Sequence, residues 1–325
     1  MPHAIRIDAP GDADAMKIVH VDVPAPGPDE ISVKHGAVGL NYIDIYHRSG
    51  LYPLPSYPAG IGLEAAGEVT AVGDGVSDVA VGERVAYASP PIGAYAEVRN
   101  LPADRVVKMP DSIDDQTAAA MMLQGMTVQY LIRRTYRVQS GDPILVHAAA
   151  GGVGLIMCQW LKHLGATVIG TVGSDEKADL AKANGCDHTI LYRNEDFLEK
   201  TKEFTDGKGV AAVYDSIGAD TYERSIKALR PLGTIALFGN SSGPVTQLDP
   251  SLLAAGGSLF LTRPSLMHYT ASREDLVNSA EELIEVVSKG IVKISVNQTY
   301  ALKDVVQAHK DLEARKTTGS TVLLP

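Results

Sequence analysis

The segment Asp142-Pro143-Ile144-Leu145-Val146-His147-Ala148-Ala149-Ala150-Gly151-Gly152-Val153-Gly154 joins a short apolar run to a glycine-rich turn. The run at residues 144–146 predicts a buried strand. Gly151 and Gly152 let the backbone approach an anion closely, and Gly154 lets the following helix lie near the sheet. The start of that helix offers free N–H groups and a positive dipole end. The segment therefore predicts a strand–turn–helix unit that binds the pyrophosphate of a dinucleotide.

The residues after this turn alternate between helical and strand patterns. We expect helices at residues 155–164, 175–184, 195–204 and 222–229, and strands at 167–171, 188–191, 210–214 and 234–238. This alternation is typical of βαβ units, in which helices cover both faces of a parallel sheet. The strand before the glycine turn and the βαβ series after it strengthen the cofactor interpretation. A glycine turn alone could be a glycine-rich loop that binds no nucleotide.

The first 123 residues are rich in Gly, Pro and Val and predict a β-rich module. Strand-like runs occur at residues 30–35, 66–72, 84–88 and 95–98, with turn residues between them. The tail predicts helices at 273–288 and 303–314 and strands at 298–302 and 320–324. We expect the last of these strands to return to the first module.

Composition limits the possible partners and location. The chain has 325 residues, 45% of them hydrophobic and 21% charged, with a net charge of -10. This acidic balance argues against binding to nucleic acid or to an anionic membrane. Cys158 and Cys186 are too few for a disulfide framework, and neither a secretory signal nor a membrane-spanning run is visible. The sequence predicts a cytoplasmic protein.

The tip of the second predicted strand bears on the choice of cofactor. NAD-selective folds place a carboxylate there, about 20 residues past the glycines, to accept the ribose hydroxyls. Here the tip carries Gly173 and Ser174, and Asp175 follows where an N-cap is the alternative reading. Lys177 supplies a nearby cation, although it could also be a solvated helix residue. Together these residues favour NADPH.

Several blocks of the chain resemble the quinone oxidoreductases and zeta-crystallins, the zinc-free branch of the medium-chain dehydrogenase/reductase superfamily. The resemblance covers essentially the whole chain and rests on residues 39–53, 60–67, 141–154 with Gln159 and Lys162, 238–243 and 262–265. It implies an α/β protein with a GroES-like β-rich catalytic domain and a Rossmann domain built on a doubly wound parallel sheet. It places the catalytic domain at residues 1–123, completed by 266–325, and the Rossmann domain at 124–265. It also implies a homodimer through Rossmann edge strands, for which residues 259–262 are the candidate.

The positions at which zinc-dependent relatives bind the metal carry other residues here. Asn41 and Leu63 replace a cysteine and a histidine, so no tetrahedral zinc site is expected. Glu64 remains without a metal context, and His147 is more plausibly a core or cofactor-facing residue than a ligand. Without a Lewis acid, alcohol oxidation is disfavoured, and a quinone or an activated enone becomes the better substrate.

The resemblance implies which residues line the substrate cleft: Asn41, Asp44, Tyr46 and Tyr52, with Asn240 and Arg263 from the Rossmann domain. Hydride addition to a quinone leaves an oxyanion, which donors such as Tyr46 and Arg263 would stabilise. Tyr46 and Tyr52 could also stack on a flat ring. The alternatives are that Asp44 pairs with Arg48 at helical spacing and that Tyr52 only packs a loop.

The cofactor-binding candidates fall into three groups. We expect the pyrophosphate at Ala150, Gly151, Gly152 and Val153. We expect the 2′-phosphate at Gly173, Ser174, Lys177, Tyr192 and Arg315, of which the last two come from the resemblance alone. Gln124 and Thr127 are expected on the nicotinamide side, and Phe238, Gly239 and Asn240 at the carboxyl edge of the sheet.

These observations favour an NADPH-dependent, zinc-independent quinone reductase. One alternative is a reductase of the double bond of an enal or enone, because the cleft chemistry is similar. An alternative of another class is an RNA-binding or structural protein that uses NADPH as a ligand.

Overall fold

The computed structural model describes all residues, Met1–Pro325. The strands, in chain order, are β1 His3–Ile7, β2 Lys17–His20, β3 Glu30–Leu40, β4 Ala59–Gly60, β5 Glu64–Val72, β6 Arg84–Ala88, β7 Val98–Pro102, β8 Val107–Lys108, β9 Pro143–Val146, β10 Thr167–Val172, β11 His188–Leu191, β12 Val210–Asp215, β13 Leu229–Leu237, β14 Phe260–Thr262, β15 Val296–Ala301 and β16 Ser320–Leu324. The helices are α1 Tyr42–Ser49, α2 Asp115–Tyr130, α3 Gly152–His163, α4 Asp175–Ala183, α5 Phe197–Phe204, α6 Tyr222–Lys227, α7 Ser251–Ala255, α8 Leu266–Tyr269, α9 Arg273–Ser288 and α10 Val305–Glu313. No helix combines the length and apolar character that crossing a bilayer requires.

The chain forms two compact units. The first contains Met1–Gln124, Thr270–Ile284 and Ile294–Pro325, and the second contains Gly125–Tyr269 and Glu285–Lys293. The domain boundaries given above stay a prediction, because a compact unit and a functional domain need not coincide.

The first unit is built on a seven-stranded sheet. Its strands run in the order β15-β16-β3-β5-β6-β8, and β7 also pairs with β3. The C-terminal strand β16 lies antiparallel to β3 and parallel to β15, as expected for a tail that returns to the first module. The apolar core beneath the sheet draws on Ile31, Val33, Tyr87, Tyr95 and Leu323.

The second unit contains the predicted parallel sheet. All six strands are parallel, in the order β11-β10-β9-β12-β13-β14. The central strands β9 and β12 are almost wholly buried, as expected when both faces of a sheet are covered. Chain order reverses between β9 and β12, which creates the switch point where such sheets bind ligands. The candidate dimer edge, β14, is the last strand on one side.

One strand prediction fails in the first half of the chain, and one long helix was not predicted. Residues 95–98 were expected to form a strand, but the strand is Val98–Pro102. The N–H groups of Ala94 and Tyr95 instead bond to the carbonyls of Gly62 and Ile61, so this segment follows a neighbouring loop. The helix Asp115–Tyr130 has no counterpart in the sequence analysis, because its apolar residues are not confined to one face.

Candidate active site

Most site candidates of the second unit, for the cofactor and for the substrate, lie at one edge of the parallel sheet. Parallel strands all end at the same edge, so the residues that follow them are brought together. These residues are Ala150 to Val153 after β9, Gly173 and Ser174 after β10, Tyr192 after β11, Phe238 to Asn240 after β13 and Arg263 after β14. Thr127 is buried in α2 instead, on a different element of the same unit.

The glycine turn is a backbone cradle at the start of α3. Gly151 is the N-cap of this helix, and no side chain caps it, so the first N–H groups remain available to a ligand. A Cβ on Gly154 would lie 2.3 Å from the carbonyl oxygen of Ala148, so only glycine allows this approach of helix and turn. Ala148 itself has φ 54, in the left-handed region. The turn therefore fits a pyrophosphate.

The candidate 2′-phosphate site follows β10. A Cβ on Gly173 would lie 3.1 Å from the hydroxyl oxygen of Tyr192, which places that ring directly against the strand tip. The side chain of Ser174 caps α4 by accepting a 3.4 Å hydrogen bond from the N–H of Lys177. The N-cap reading of Asp175 is therefore wrong, because Asp175 is the first helical residue and Ser174 takes the cap position. A small tip, a hydroxyl and a half-buried lysine suit a phosphate.

A line of side-chain hydrogen bonds crosses three neighbouring strands beneath this edge. The ring nitrogens of His147, after β9, lie 3.0 Å from the hydroxyl oxygen of Thr171 and 2.9 Å from that of Ser225. Ser225 donates to the carboxylate of Asp215 at 2.9 Å, and Asp215 also accepts from Thr221. Burial lowers the pKa of His147, so the ring is neutral. His147 is a satisfied core histidine that ties the strand ends together.

In the first unit, Asp44 is buried at the start of α1. One of its oxygens accepts from the N–H of Asn41 at 2.8 Å and from the hydroxyl of Tyr95 at 2.9 Å. Its other oxygen has no hydrogen-bond partner. Burial raises the pKa of Asp44 to about 7. The alternative pairing of Asp44 with Arg48 is wrong, because the Arg48 guanidinium binds both carboxylate oxygens of Glu313, at 2.7 and 3.1 Å.

A chain of hydrogen bonds leads from Arg48 back to Asp44. The guanidinium lies 3.2 Å from Nδ1 of His309, and because arginine only donates, that nitrogen must accept. The proton of the neutral ring is then on Nε2, which lies 3.1 Å from the Tyr95 hydroxyl oxygen, and Tyr95 donates to Asp44. Burial lowers the pKa of His309 to about 3. The chain of hydrogen bonds ends at the Arg48 guanidinium, which does not release its proton. The chain therefore positions Asp44 and does not conduct protons from solvent.

Tyr46 and Tyr52 form an aromatic cluster with Tyr42. The rings of Tyr46 and Tyr52 have centroids 5.1 Å apart in an edge-on arrangement, and those of Tyr42 and Tyr46 lie 5.8 Å apart. The ring of Tyr46 is buried, whereas that of Tyr52 is half-buried. The cluster offers flat apolar surface next to hydroxyl groups.

The first unit carries no zinc ligand set at Asn41 and Leu63. The amide of Asn41 lies 2.6 Å from the carboxyl group of Glu64, and Leu63 brings no donor atom. No group of three or more His, Cys, Asp or Glu is arranged to hold a metal ion. The residues present do not fit the thiolate and imidazole ligands of a zinc dehydrogenase.

Comparison with known proteins identifies the relatives of this arrangement. Residues 27–111 match the model of the alcohol dehydrogenase GroES-like domain, and residues 152–289 match that of the zinc-binding dehydrogenases. A quinone oxidoreductase of Pseudomonas aeruginosa is 48% identical over 325 residues, with 100% of each chain covered. The chain belongs to the quinone oxidoreductase family.

Solved and curated relatives within this family agree with that assignment. The crystal structure of Escherichia coli quinone oxidoreductase complexed with NADPH has a TM-score of 0.97 and 46% identity, covering 99% of this chain and 100% of that one. A 2-haloacrylate reductase from a Burkholderia species is 45% identical and covers 100% of this chain and 99% of its own length. The predicted membership of the medium-chain superfamily and the fold class, a GroES-like domain with a Rossmann parallel sheet, are confirmed.

Two of the cofactor-binding candidates, Gln124 and Arg315, lie in the first unit. Gln124 is the last residue of the first segment of that unit and is buried, and its amide lies 3.1 Å from that of Asn41. Arg315 follows α10, is exposed and has φ 58. Its role at the 2′-phosphate stays a prediction.

Sequence reasoning missed the residues that surround Asp44. Tyr95, His309 and Glu313 are separated from α1 by 51 to 265 positions, so no local motif connects them. The signal in the sequence was the spacing of His309 and Glu313, two polar residues one turn apart in an amphipathic helix. The same spacing is also common on solvated helix faces.

We expect the purified protein to contain no stoichiometric zinc and chelators to leave its activity intact. The reason is that neither Asn41 nor Leu63 supplies a thiolate or an imidazole. Elemental analysis and activity before and after chelation measure this. Zinc that is bound and needed for turnover would contradict the interpretation of both positions.

Proposed function

We propose that the chain is an NADPH-dependent quinone reductase that works without zinc. The observation that carries the proposal is the acid-free tip of β10, where Gly173 lies against the ring of Tyr192 and Ser174 caps α4. Full-length similarity to quinone oxidoreductases, one of them solved with NADPH, supports the same conclusion.

In this function most of the cofactor-binding residues belong to the second unit, and Gln124 and Arg315 belong to the first. The turn from Ala150 to Val153 binds the pyrophosphate through the N–H groups of Gly152 and Val153, because that of Gly151 donates to the carbonyl of Ala148. Gly173, Ser174, Lys177 and Tyr192 bind the 2′-phosphate, with Arg315 as a further cation. Phe238, Gly239 and Asn240 shape the carboxyl edge, while Gln124 and Thr127 contact the nicotinamide side. A Cβ on Gly239 would lie 2.4 Å from the Ser216 carbonyl oxygen, so the segment after β13 passes close to the backbone after β12. NADPH, when bound, supplies a hydride.

The remaining candidates handle the acceptor. Tyr46 and Tyr52 provide ring surface on which a flat quinone stacks. Hydroxyl and guanidinium donors, from Tyr46 and Arg263, stabilise the oxyanion that hydride addition creates. Asn41 and Asp44 supply polar groups beside the tyrosine cluster, and Asp44 is positioned by the hydrogen bond that it accepts from Tyr95.

Reduction of an activated double bond is the second candidate function. It is favoured by the full-length similarity, at 45% identity, to a 2-haloacrylate reductase. Such a substrate also accepts hydride and leaves a charge next to a carbonyl group. The two functions therefore need the same donors and differ in the shape of the acceptor.

The acceptor panel is the decisive experiment for the function. We expect NADPH oxidation with a benzoquinone and a naphthoquinone at a kcat/KM at least about tenfold above that with an alkenal or a 2-haloacrylate, a preference of about 1.4 kcal/mol. Electron paramagnetic resonance during turnover distinguishes one-electron from two-electron transfer. Higher kcat/KM with the alkenal or haloacrylate would transfer the assignment to the second candidate.

Lys177→Ala should weaken NADPH binding by about tenfold or more and change NADH binding little. The reason is the loss of a charged partner for the 2′-phosphate, worth about 1.5 kcal/mol or more. Titration calorimetry with both cofactors measures the effect. Lys182→Ala is the matched control, because Lys182 is exposed in the last turn of the same helix. Equal losses for NADPH and NADH would refute the role of Lys177.

We also propose a homodimer formed through β14 and a cytoplasmic location. Phe260 lies on this edge strand with 61% of its surface exposed, which a partner strand would cover. Phe260→Lys should therefore shift the protein toward monomer in sedimentation velocity, whereas Ile18→Lys, at a 47% exposed site on β2, should not. A wild-type monomer would exclude the dimer.

The proposed cytoplasmic location rests on the two free cysteines. Cys158 and Cys186 suit a reducing compartment, which cell fractionation tests.

A further inference from the structure

Four buried polar side chains of the first unit form a continuous chain. The carboxyl group of Glu64 contacts the amide of Asn41 at 2.6 Å, and that amide contacts Gln124 at 3.1 Å. Gln124 contacts the Ser320 hydroxyl oxygen at 2.8 Å, and this oxygen lies 3.1 Å from the carbonyl of Ala120. None of the four is more than 7% exposed. The direction of the hydrogen bonds depends on how the two amides are turned, because the two ends of an amide have nearly the same shape.

Counting protons separates the two possible directions. In one direction the amides donate toward Glu64, and the single proton of the Ser320 hydroxyl then faces two acceptors, Gln124 and Ala120. In the other direction both amides are turned end for end. Gln124 then donates to Ser320, and Ser320 gives its proton to Ala120. Within the chain every acceptor then has one donor, provided that Glu64 carries a proton and donates it to Asn41.

The contact between Glu64 and Asn41 is short enough for either direction. Its 2.6 Å lies within the range of O–H···O bonds, about 2.5 to 3.0 Å, and the N–H···O contact between Arg84 and Asp115 is equally short, at 2.6 Å. The other Glu64 oxygen accepts from the N–H of Leu123 at 2.8 Å, which a neutral carboxyl group also does. Both contacts are therefore compatible with a protonated Glu64.

The surroundings of Glu64 favour its neutral form. Burial raises the pKa of Glu64 to about 8, and the nearby carboxyl group of Asp44 also raises it, while the hydrogen bond from Leu123 opposes this, as does that from Asn41 when its amide N–H points to Glu64. Two titratable side chains face the Glu64 carboxyl group, that of Asp44 from α1 and that of Tyr95 from the segment before β7. Arg48 and His309 stand behind Tyr95 and do not contact Glu64.

We propose that Glu64 is a positioning residue whose protonated carboxyl group donates to the amide oxygen of Asn41 and thereby sets the direction of the whole chain to Ser320. Asn41 and Gln124 each keep a second N–H outside the chain. Ionisation of Glu64 turns both amides, so it exchanges the N–H and C=O groups that they offer to a ligand. The effect on catalysis rests on the proposed function, whereas the position of the proton does not.

Glu64→Gln tests this with little change of shape. The glutamine N–H replaces the carboxyl O–H toward Asn41, its oxygen still accepts from Leu123, and the group no longer ionises. Glu68→Gln is the matched control, because Glu68 is exposed on the same strand β5. The infrared C=O band of a protonated carboxylic acid reports the proton directly, without cofactor or acceptor.

At neutral pH we expect this band in the wild type and in Glu68→Gln, with one component lost in Glu64→Gln. In the wild type the same component should disappear as pH rises above the pKa of Glu64, about 8, a result that needs no variant. No such component, or one that survives in Glu64→Gln, would overturn the proposal.

The kinetic arm tests the positioning role. Since a raised pKa means that the proton is present below about 8 and lost above it, wild-type kcat/KM should fall at alkaline pH. The ratio of kcat/KM in the wild type to that in Glu64→Gln should drop by about tenfold per pH unit at most. Asp44 also titrates, with a pKa raised to about 7, and is coupled to Glu64, so the ratio is compared above pH 8, where Asp44 is ionised in both proteins. A ratio that stays constant with pH would overturn the positioning role. If no acceptor supports NADPH oxidation, the proposed function is overturned, and the infrared band alone decides whether Glu64 carries the proton.

Discussion

The parallel pairing of β9 with both of its neighbours is the constraint on which the second unit depends. Val146 lies opposite Gly170 on one side and Tyr214 on the other. This register places His147 between Thr171 and Ser225 at the carboxyl edge. A shift of one residue would turn His147 to the opposite face and leave buried polar groups without partners. The same register aligns the glycine turn with the tips of the other strands.

The first unit depends on a different principle, the burial of polar groups in a β-rich core. Asp44 and Glu64 have no exposed surface, and the chains from Arg48 and from Ser320 approach the same end of α1. Buried polar groups cost free energy unless every partner is present. One oxygen of Asp44 remains without a partner, which adds to the free-energy cost of burying the ionised carboxylate.

The sequence predicted the parts of the fold that rest on local signals. The strand–turn–helix at residues 142–154 and the alternation after it depend on residue types close together in the chain, and the parallel sheet followed from them. The helix Asp115–Tyr130 escaped because a helix that is apolar on most sides shows no periodic pattern. The Asp44–Arg48 pairing failed for a related reason, since spacing shows which residues can meet but not that Glu313 offers Arg48 a better partner.

The place of β16 in the first unit has a consequence for synthesis on the ribosome. This strand lies between β15 and β3, so the seven-stranded sheet joins residues from both ends of the chain. All six strands of the second unit, in contrast, have been made once Thr262 is joined. The parallel sheet has its full set of strands while the seven-stranded sheet still lacks β15 and β16, and Ser320, the last member of the Glu64 chain, lies in β16. The polar core of the first unit is therefore completed later than the parallel sheet, once Ser320 has been joined.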